Sequence, residues 1–340
     1  MNEKIIVLGA TGNLGAYTAL HLKKCGYNII ACGHRHSDNG FFNDYEIDYV
    51  SIDITKPETF TNLPNSNISA IINFAGELPS RYKFSPNKLI TTITEGTLNV
   101  LEYMRKCGCK KIIFPQTPYD IIDHYDGKTP LSADLPRSYP KTGDHAVYTI
   151  AKNAAVDLID HYHHEYGFSR FILRFFTIYE YHPNPFHYAD FKKRMMPFRM
   201  LMDRAAKSLP IEIWGDATKA KEMVYIKDFT SLVEACVKSS LDGGIYNVGN
   251  GWQVSLDEQI KGIVSVFSPK GNPSKITYAP DKPDPIVNAF DITKTINELG
   301  FSPKYSYIEQ LLDFKLEMEQ ETFAKLWGKK EDYEDISKSF

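Results

Sequence analysis

The chain has 340 residues, of which 43% are hydrophobic and 24% charged. This composition is typical of a folded globular protein and excludes a disordered or collagen-like chain. At about 150 residues per domain, the length predicts roughly two domains. The 39 basic and 42 acidic residues give a formal net charge of -3, so there is no electrostatic reason to expect nucleic acid or an anionic membrane as the main partner.

The cysteine content points to a reducing compartment. Five cysteines is a small and odd number, and Cys107 and Cys109 have no second pair to complete a zinc-type spacing. We therefore expect free thiols, no metal site and a cytoplasmic location. No apolar run approaches the length of a membrane span. The first four residues lead directly into a strand-like segment, which predicts no secretory signal.

The first third of the chain alternates short apolar runs with amphipathic segments. The predicted strands are Ile5–Leu8, Asn28–Cys32, Asp48–Ile52, Ala70–Phe74 and Lys111–Phe114. The predicted helices are Leu14–Lys24 and Leu89–Cys107. This alternation predicts βαβ units and a parallel sheet, with the ligand at the carboxyl ends of the strands.

The later part of the chain is less regular. After a turn-rich stretch, the pattern predicts a helix over Ala146–Tyr166 and a buried strand over Phe171–Phe175. A basic segment, Asp190–Lys207, is also predicted to be helical. The tail after Gly328 is highly charged, and we expect it to be solvated.

A glycine-rich turn joins the first predicted strand to the first predicted helix. Gly9, Gly12 and Gly15 recur every third residue in Gly-Ala-Thr-Gly-Asn-Leu-Gly. A tight turn and a close approach to a diphosphate both favour residues without a Cβ atom. The N-terminus of the following helix offers free N–H groups to that diphosphate. The alternative is a glycine-rich turn that binds no ligand.

Tyr148 and Lys152 lie four residues apart on a predicted helix, so they share one face. An ammonium beside a phenol lowers its pKa, which predicts a general acid/base for a hydroxyl or keto group. Two other pairs have the same spacing, Tyr188 with Lys192 and Tyr278 with Lys282. Only the first pair follows a predicted strand that leads into a hydroxyl residue, Thr117. The alternative is a surface pair.

Together these motifs resemble the extended short-chain dehydrogenases/reductases, of the NAD-dependent epimerase/dehydratase type that acts on nucleotide sugars. The likeness extends to about Leu312, and Thr117, Tyr148 and Lys152 match the catalytic Ser/Thr, Tyr and Lys. It implies an α/β fold with a Rossmann-type doubly wound parallel sheet and a smaller, interleaved C-terminal α/β domain for the substrate. The implied bounds are residues 1–177 with about 223–248 for NAD(P) binding, 178–222 and 249–328 for substrate, and 329–340 as a charged tail.

The glycine turn and the resemblance together predict a set of site residues. The cofactor-binding residues would be Gly9, Thr11, Gly12, Asn13, Leu14, Gly15, His34, Arg35, Asp53, Ile54, Phe74, Ala75, Gly76, Tyr148 and Lys152. The substrate-binding residues would be Thr117, Thr177 and Lys221. The resemblance also implies a homodimer that pairs through the two long helices.

The chain departs from the family pattern at several positions. Ile93 aligns with a common Asn of a proton relay, and Thr177 replaces an Asn that can hold diphosphate or sugar. Glu180 replaces a usual Gly. Lys221 and Glu222 replace an Arg-Asp pair, and lysine lacks the bidentate fork of arginine.

The end of the second strand bears on the choice of cofactor. An acidic residue there would bind the ribose 2′-hydroxyl and select NAD, but this chain has Gly33 followed by His34 and Arg35. A missing carboxylate and a nearby guanidinium suit a 2′-phosphate, so the sequence predicts NADP in preference to NAD. The alternative is that Arg35 is a solvated loop residue.

The predicted activity is that of a nucleotide-sugar epimerase or keto-reductase, with a nucleotide-diphosphate sugar as its small-molecule partner. A dehydratase ranks last because Pro118 and Tyr119, rather than the family's Asp-Glu, follow Thr117. Two alternatives stay open: an atypical reductase of a non-nucleotide carbonyl compound, and a non-catalytic NADP-sensing protein.

Overall fold

A computed structural model of the chain describes residues 3–79, 85–143, 145–189, 192–283 and 287–334. The strands are β1 Lys4–Leu8, β2 Asn28–Gly33, β3 Asp48–Ser51, β4 Ile68–Asn73, β5 Lys111–Gln116, β6 Ser169–Phe175, β7 Ile178–Tyr179, β8 Phe186–Ala189, β9 Lys192–Met195, β10 Ile211–Trp214, β11 Ala220–Lys221, β12 Val224–Tyr225, β13 Gly243–Val248, β14 Val254–Ser255 and β15 Ile276–Ala279. The helices are α1 Asn13–Lys24, α2 Pro86–Leu89, α3 Gly96–Cys107, α4 Ala146–Tyr166, α5 Pro197–Ala206, α6 Ile226–Lys238, α7 Leu256–Phe267, α8 Thr293–Leu299, α9 Tyr307–Gln320, α10 Ala324–Trp327 and α11 Glu331–Glu334.

Seven parallel strands form the central sheet, in the order β3-β2-β1-β4-β5-β6-β13. The central strands are apolar along their length because helices cover both faces. On one face, Val7 shares a core with Phe229 of α6 and with α1. On the other face, Ile6 shares a core with Val100 of α3 and with α4. The predicted doubly wound parallel sheet is therefore confirmed.

The chain leaves this sheet after β6 and returns to it at β13. In the second region, α5, α7 and α9 pack with the parallel pair β10 and β15 around their own core, which includes Met202, Ile213, Ile263 and Leu311. Among the described residues, no helix has the length and apolar character needed to cross a bilayer.

Two predicted helices differ from the observed elements. The segment predicted to be helical over Asp190–Lys207 contains β9, which pairs antiparallel with β8, and only then α5. Helix α5 begins at Pro197, because proline fits the first turn of a helix and disrupts later turns. Asp190 lies outside the described residues. The predicted helix Leu89–Cys107 contains a π-helical turn, Ile90–Glu95, between α2 and α3.

The C-terminal segment was expected to be peripheral from residue 329 onward. Before that point, Phe323, Leu326 and Trp327 are buried in the same core as α1. Beyond Gly328 the chain is mostly exposed, although the Tyr333 hydroxyl donates a hydrogen bond to the Trp327 carbonyl at 2.5 Å. Residues 335–340 lie outside the described part of the chain.

Candidate functional site

The glycine turn is packed too tightly to admit side chains at two of its positions. Gly9 has a φ of +78°, and a Cβ atom there would lie 2.7 Å from the backbone nitrogen of Ala75. At Gly15, a Cβ atom would lie 2.2 Å from the Gly9 carbonyl oxygen. The turn therefore brings β1, the start of α1 and the segment after β4 into direct backbone contact.

The N-terminus of α1 fits the diphosphate of a dinucleotide. Gly12 is the N-cap residue, and within the described residues no side chain caps this helix. The first N–H groups of a helix have no intrahelical partner, and the helix dipole makes this end positive. Asn13 and Leu14 are the first two residues of the helix, so their backbone groups would hold the diphosphate.

A carboxyl group lies beside this N-terminus. The Asn13 side-chain amide donates a hydrogen bond to Oε1 of Glu180 at 2.8 Å. The other oxygen of Glu180 is buried and has no hydrogen-bond partner among the described residues. Burial raises the pKa of Glu180 to about 7, although Asn13 and Arg199 act in the opposite direction. The sequence flagged Glu180 as unusual, but no local pattern indicated that it would contact the glycine turn.

At the end of β2, the backbone packs closely against the glycine turn. A Cβ atom at Gly33 would lie 2.7 Å from the Thr11 hydroxyl oxygen. His34 and Arg35 follow and are exposed. Nη1 of Arg35 donates a hydrogen bond to the Leu326 carbonyl at 2.8 Å, so this arginine is not simply solvated.

The two predicted cofactor residues after β3, Asp53 and Ile54, are each engaged by contacts within the protein. Oδ1 of Asp53 accepts hydrogen bonds from the Thr55 backbone nitrogen at 3.1 Å and the Thr55 hydroxyl at 2.7 Å. Although partial burial opposes it, these bonds hold the pKa of Asp53 below its ordinary value. Ile54 is buried, and it fills the space that a side chain at Gly96 would need.

The predicted residues after β4 line the same edge of the sheet. Phe74 and Ala75 are half-buried and Gly76 is exposed. The Phe74 backbone nitrogen donates to the Leu8 carbonyl at 3.0 Å, which holds this segment beside the glycine turn.

The predicted tyrosine and lysine lie on α4, next to the end of β5. Nζ of Lys152 donates a hydrogen bond to the Pro115 carbonyl at 2.8 Å and lies 5.9 Å from the centre of the Tyr148 ring. Lys152 is 5% exposed, and this burial lowers its pKa to about 7. A buried amine with a pKa near neutrality is common at functional sites.

The predicted lowering of the tyrosine pKa is not what the structure shows. Burial raises the pKa of Tyr148 above its ordinary value. The reason is that the Lys152 ammonium is directed to the Pro115 carbonyl rather than to the phenol oxygen, so desolvation dominates. An ammonium has three donors, and among the described residues Lys152 uses one of them, on the Pro115 carbonyl.

Thr117 immediately follows β5 and is buried. Its hydroxyl accepts a hydrogen bond from the Tyr119 backbone nitrogen at 3.2 Å. The Tyr119 ring stacks on His145 at 4.2 Å, and His145 meets the edge of Tyr148 at 6.5 Å. Tyr119 and His145 therefore link Thr117 to Tyr148 through one backbone hydrogen bond and two ring contacts. Sequence motifs did not identify Tyr119 or His145 as part of the site.

A second bond between β5 and α4 was also missed. Nε2 of Gln116 donates to Oδ1 of Asn153 at 2.9 Å, and both side chains are buried. Each residue is adjacent in sequence to a predicted catalytic residue, which was the only signal available. The bond fixes the position of α4 along its axis relative to the end of β5.

The loop after Thr117 is anchored to the sheet by a buried ion pair. Arg174 of β6 donates to Oδ2 of Asp120 through Nη2 at 2.8 Å and through Nε at 3.2 Å. The same guanidinium donates to the Ala133 carbonyl and to Asn247 of β13. Burial raises the pKa of Asp120, and Arg174 opposes this shift. No motif in the sequence indicates this pairing.

The other two predicted substrate residues lie in different parts of the fold, Thr177 after β6 of the central sheet and Lys221 in the separate pair β11 and β14. Thr177 follows β6 and is exposed. Lys221 of β11 is half-buried, with Nζ 5.6 Å from the Tyr179 ring centre. In the described part of the chain, neither of them hydrogen-bonds Tyr148 or Lys152. The adjacent Glu222 is buried and accepts a hydrogen bond from the Phe290 nitrogen at 2.9 Å, which holds two loops together.

One group of metal-ligand side chains lies far from this site. His21, Cys25 and Glu234 place ligand atoms within 4.8 Å of one another near the C-terminal end of α1. Glu234 already pairs with His21 at 3.2 Å and Lys238 at 2.6 Å. Through the His21 pairing, Glu234 of α6 links that helix to α1.

The fold and the site together define a Rossmann-type enzyme that resembles the extended short-chain dehydrogenases/reductases. Residues 5–249 match the model of the NAD dependent epimerase/dehydratase family. The chain belongs to this family, and its members are NAD-dependent enzymes.

Three known proteins show how far the similarity extends. UDP-glucuronate 4-epimerase of Thermodesulfobacterium geofontis is 29% identical, over 79% of this chain and 77% of that protein. UDP-glucuronic acid decarboxylase 4 of Arabidopsis thaliana is 24% identical, over 88% of this chain and 65% of that protein. The solved structure of UDP-glucuronic acid 4-epimerase from Bacillus cereus in complex with NAD has a TM-score of 0.69 at 21% identity, over 93% of this chain and 99% of that one.

Proposed function

We propose that this protein is an NAD(P)-dependent epimerase that inverts one carbon of the sugar in a UDP-sugar. The observation that carries the proposal is the placement of Tyr148 and Lys152 on α4 beside Thr117 at the end of β5. The resemblance left epimerase and keto-reductase open. The UDP-glucuronate 4-epimerase that matches 79% of this chain favours epimerisation at C4.

Three side chains perform the proton chemistry in this proposal. The Tyr148 oxygen takes the proton from a sugar hydroxyl and returns it to the keto oxygen. For Tyr148 to act as a phenolate, a Lys152 donor that is not bonded to the Pro115 carbonyl turns to the phenol oxygen when cofactor and substrate bind. The Thr117 hydroxyl donates a hydrogen bond to the reacting oxygen. When bound, the nicotinamide supplies reversible hydride transfer at the same carbon.

The position of Ile93 limits how protons reach solvent. Ile93 lies in the π-helical turn, is 1% exposed and carries no exchangeable proton. The family's Asn relay is therefore not available through this side chain. We propose that Tyr148 exchanges its proton with the substrate rather than with solvent during turnover, as an epimerase with no net proton uptake requires.

For the cofactor, we propose NADP in preference to NAD. Gly33, at the end of β2, and the next two residues, His34 and Arg35, carry no carboxylate to repel a 2′-phosphate. Within the described residues, Arg35 uses one donor on the Leu326 carbonyl and has others left for a ligand. Titration with NADPH and NADH tests this. Tighter binding of NADPH is expected, whereas a clear preference for NADH would refute it.

We propose that the second region, within residues 178–222 and 249–328, forms the substrate pocket. We propose that Thr177 and Lys221 contact the substrate's sugar or diphosphate there. The half-buried Lys221 ammonium is a suitable point charge for a diphosphate. Substitution of Lys221 by Met should raise the KM for a UDP-sugar more than it lowers kcat.

We further propose a cytoplasmic homodimer that pairs through α3 and α4. Leu98 of α3 is 37% exposed and Ile150 of α4 is 39% exposed, which suits an apolar contact between copies. Light scattering should give the mass of a dimer. The double variant Leu98→Glu/Ile150→Glu should give a monomer.

Incubation with UDP-glucuronate, without added cofactor and then with NADPH, distinguishes the possible activities. An epimerase yields the C4 epimer with no net redox change. A decarboxylase releases carbon dioxide and a UDP-pentose. A keto-reductase needs a carbonyl to accept the hydride, so it would consume NADPH in proportion to product only when a UDP-keto-sugar replaces UDP-glucuronate. A test with simple carbonyl compounds covers the non-nucleotide alternative. Cofactor binding without turnover of any UDP-sugar would support the NADP-sensing alternative, and a Tyr148→Phe variant provides the inactive control.

A further inference from the structure

Residues 323–333, which we call the C-terminal clasp, contact the glycine turn directly. The Trp327 indole N–H donates a hydrogen bond to the Thr11 carbonyl at 3.0 Å. The Trp327 ring stacks on Phe323 at 4.3 Å, and Phe323 packs against Tyr17 of α1 at 4.4 Å. The clasp is therefore attached both to the turn and to the helix that begins there.

The same clasp contacts the segment that follows β2. Nη1 of Arg35 donates to the Leu326 carbonyl at 2.8 Å. The Asn39 side-chain amide donates to the Lys325 carbonyl at 3.0 Å, and the Lys325 ammonium pairs with Asp44 at 2.5 Å. These contacts hold the loop after β2 against the end of the chain.

The glycine turn and the end of the second strand are the two segments that meet the adenosine half of a dinucleotide in this type of sheet. We propose that the C-terminal clasp, through its separate hydrogen bonds to the Thr11 carbonyl and the Arg35 guanidinium, positions Arg35 for the adenosine ribose and sets the preference between NADP and NAD. This inference rests on the proposed cofactor function. Leu326 and Trp327 act through Arg35 and Thr11, so they are positioning residues.

The physical basis is preorganisation. An exposed arginine samples many rotamers, and a ligand that uses it must bear the cost of ordering it. The Leu326 carbonyl fixes one donor of Arg35 before any ligand arrives. The remaining donors of the planar guanidinium then have a defined orientation. A 2′-phosphate gains from that order, whereas a 2′-hydroxyl gains much less because it forms weaker bonds with a cation.

Two variants loosen the clasp without changing Arg35 or Thr11. Asn39→Ala/Lys325→Ala removes two attachments on the surface. Trp327→Phe keeps an aromatic ring in the core and removes the N–H that bonds the Thr11 carbonyl, together with part of the indole ring. The matched controls are Lys261→Ala, which removes another exposed ion-paired lysine, and Trp214→Phe, an exposed tryptophan in the second region.

The measurement is the dissociation constant of each variant for NADPH and for NADH. We expect the dissociation constant for NADPH to rise about tenfold and that for NADH to rise less than about threefold. A tenfold change corresponds to about 1.4 kcal/mol of binding free energy. The controls should change neither. The inference would be overturned if the ratio of the NADPH and NADH dissociation constants stayed unchanged in the clasp variants, whether or not both affinities fell. A preference of the unaltered protein for NADH would overturn it as well. If the unaltered protein binds neither cofactor, the proposed function itself fails, which is a separate and distinguishable result.

Discussion

The two ends of the candidate site are held by contacts that differ greatly in their reach along the chain. At the reacting end, Lys152 bonds the Pro115 carbonyl across a separation of 37 residues. At the adenosine end, Trp327 bonds Thr11 across 316 residues, and Arg35 bonds Leu326 across 291. One end is built by a single strand and the next helix, whereas the other needs the end of the chain.

The two ends differ in role as well as in sequence separation: one holds the proposed catalytic side chains and the other is where we propose that the cofactor is selected. The reacting end contains the side chains that match the family motif, and neighbouring elements fix them. The adenosine end contains contacts that no motif in the sequence indicates: Glu180 beside Asn13, and the C-terminal clasp beside Arg35. Substitutions at the first end should affect turnover, and substitutions at the second should affect cofactor affinity.

The sharpest test of this separation is Tyr148→Phe. Loss of the phenol should lower kcat by about 10³-fold, within the usual range for a general acid/base, because no other group takes the sugar proton. Cofactor affinity should stay within about threefold, since the variant removes only one oxygen. Tyr166→Phe, at the far end of the same helix, is the control for a structural effect. A kcat within tenfold of the unaltered enzyme would contradict the assigned role.

The buried ion pair beneath the reacting end should have the next largest effect, on stability. Asp120→Ala leaves the Arg174 guanidinium buried without its carboxylate, and such losses cost about 3–5 kcal/mol of unfolding free energy. Asp157→Ala removes the partner of Arg137 in a largely exposed pair and should cost under about 1 kcal/mol. Urea unfolding of both variants gives the comparison. Equal costs would show that Asp120 is not an anchor.

The lowered pKa of Lys152, at the reacting end of the site, predicts that the free energy of unfolding depends on pH. Its pKa is about 7 in the folded protein because of burial, below the ordinary value of lysine. The unfolded chain therefore binds more protons between about pH 7 and pH 10, and the folded state gains stability as the pH rises through that range. Relative to Lys152→Met, the unaltered protein should gain about 2–4 kcal/mol between pH 7 and pH 10. A constant difference between the two unfolding curves would refute the lowered pKa, and Lys110→Met is the exposed control.

The smallest predicted effect belongs to Glu180 at the adenosine end. Burial raises its pKa to about 7, so the group is neutral below that pH and negative above it. A negative charge beside the N-terminus of α1 repels a diphosphate, so cofactor affinity should fall about tenfold between pH 6 and pH 8.5. Glu180→Gln should remove that fall, whereas Glu319→Gln, an exposed change on α9, should not. Parallel pH profiles for the unaltered protein and Glu180→Gln would disprove the assignment.

The sequence predicted the central sheet well because its signals are local. The continuous apolar run Ile5–Leu8 and the helical spacing of Ala146–Tyr166 can each be recognised within a short stretch of sequence, and α4 has the predicted bounds. The basic segment near Lys192 was misassigned because a short hairpin has too few residues to show its period. Pro197 marks the true start of the helix, because proline favours the first helical turn.

The contacts that define the adenosine end could not be predicted in the same way. Nothing near Trp327 indicates that it meets a turn at the start of the chain, because that contact is a property of the finished fold. The same holds for Asp120 with Arg174, which join a loop to a different strand. The raised pKa of Tyr148 was missed because the direction of the Lys152 ammonium depends on the Pro115 carbonyl, a backbone atom with no sequence pattern.

The burial of Phe323 and Trp327 has a consequence for synthesis on the ribosome. Their apolar partners under α1 include Tyr17 and Phe41, which leave the ribosome early. At about 5–20 residues per second, roughly 15–60 s pass before the clasp follows. During that interval an apolar surface of the nascent chain is uncovered and open to association with other chains. Nascent chains that stop short of residue 323 should therefore bind general chaperones more strongly than the completed protein does.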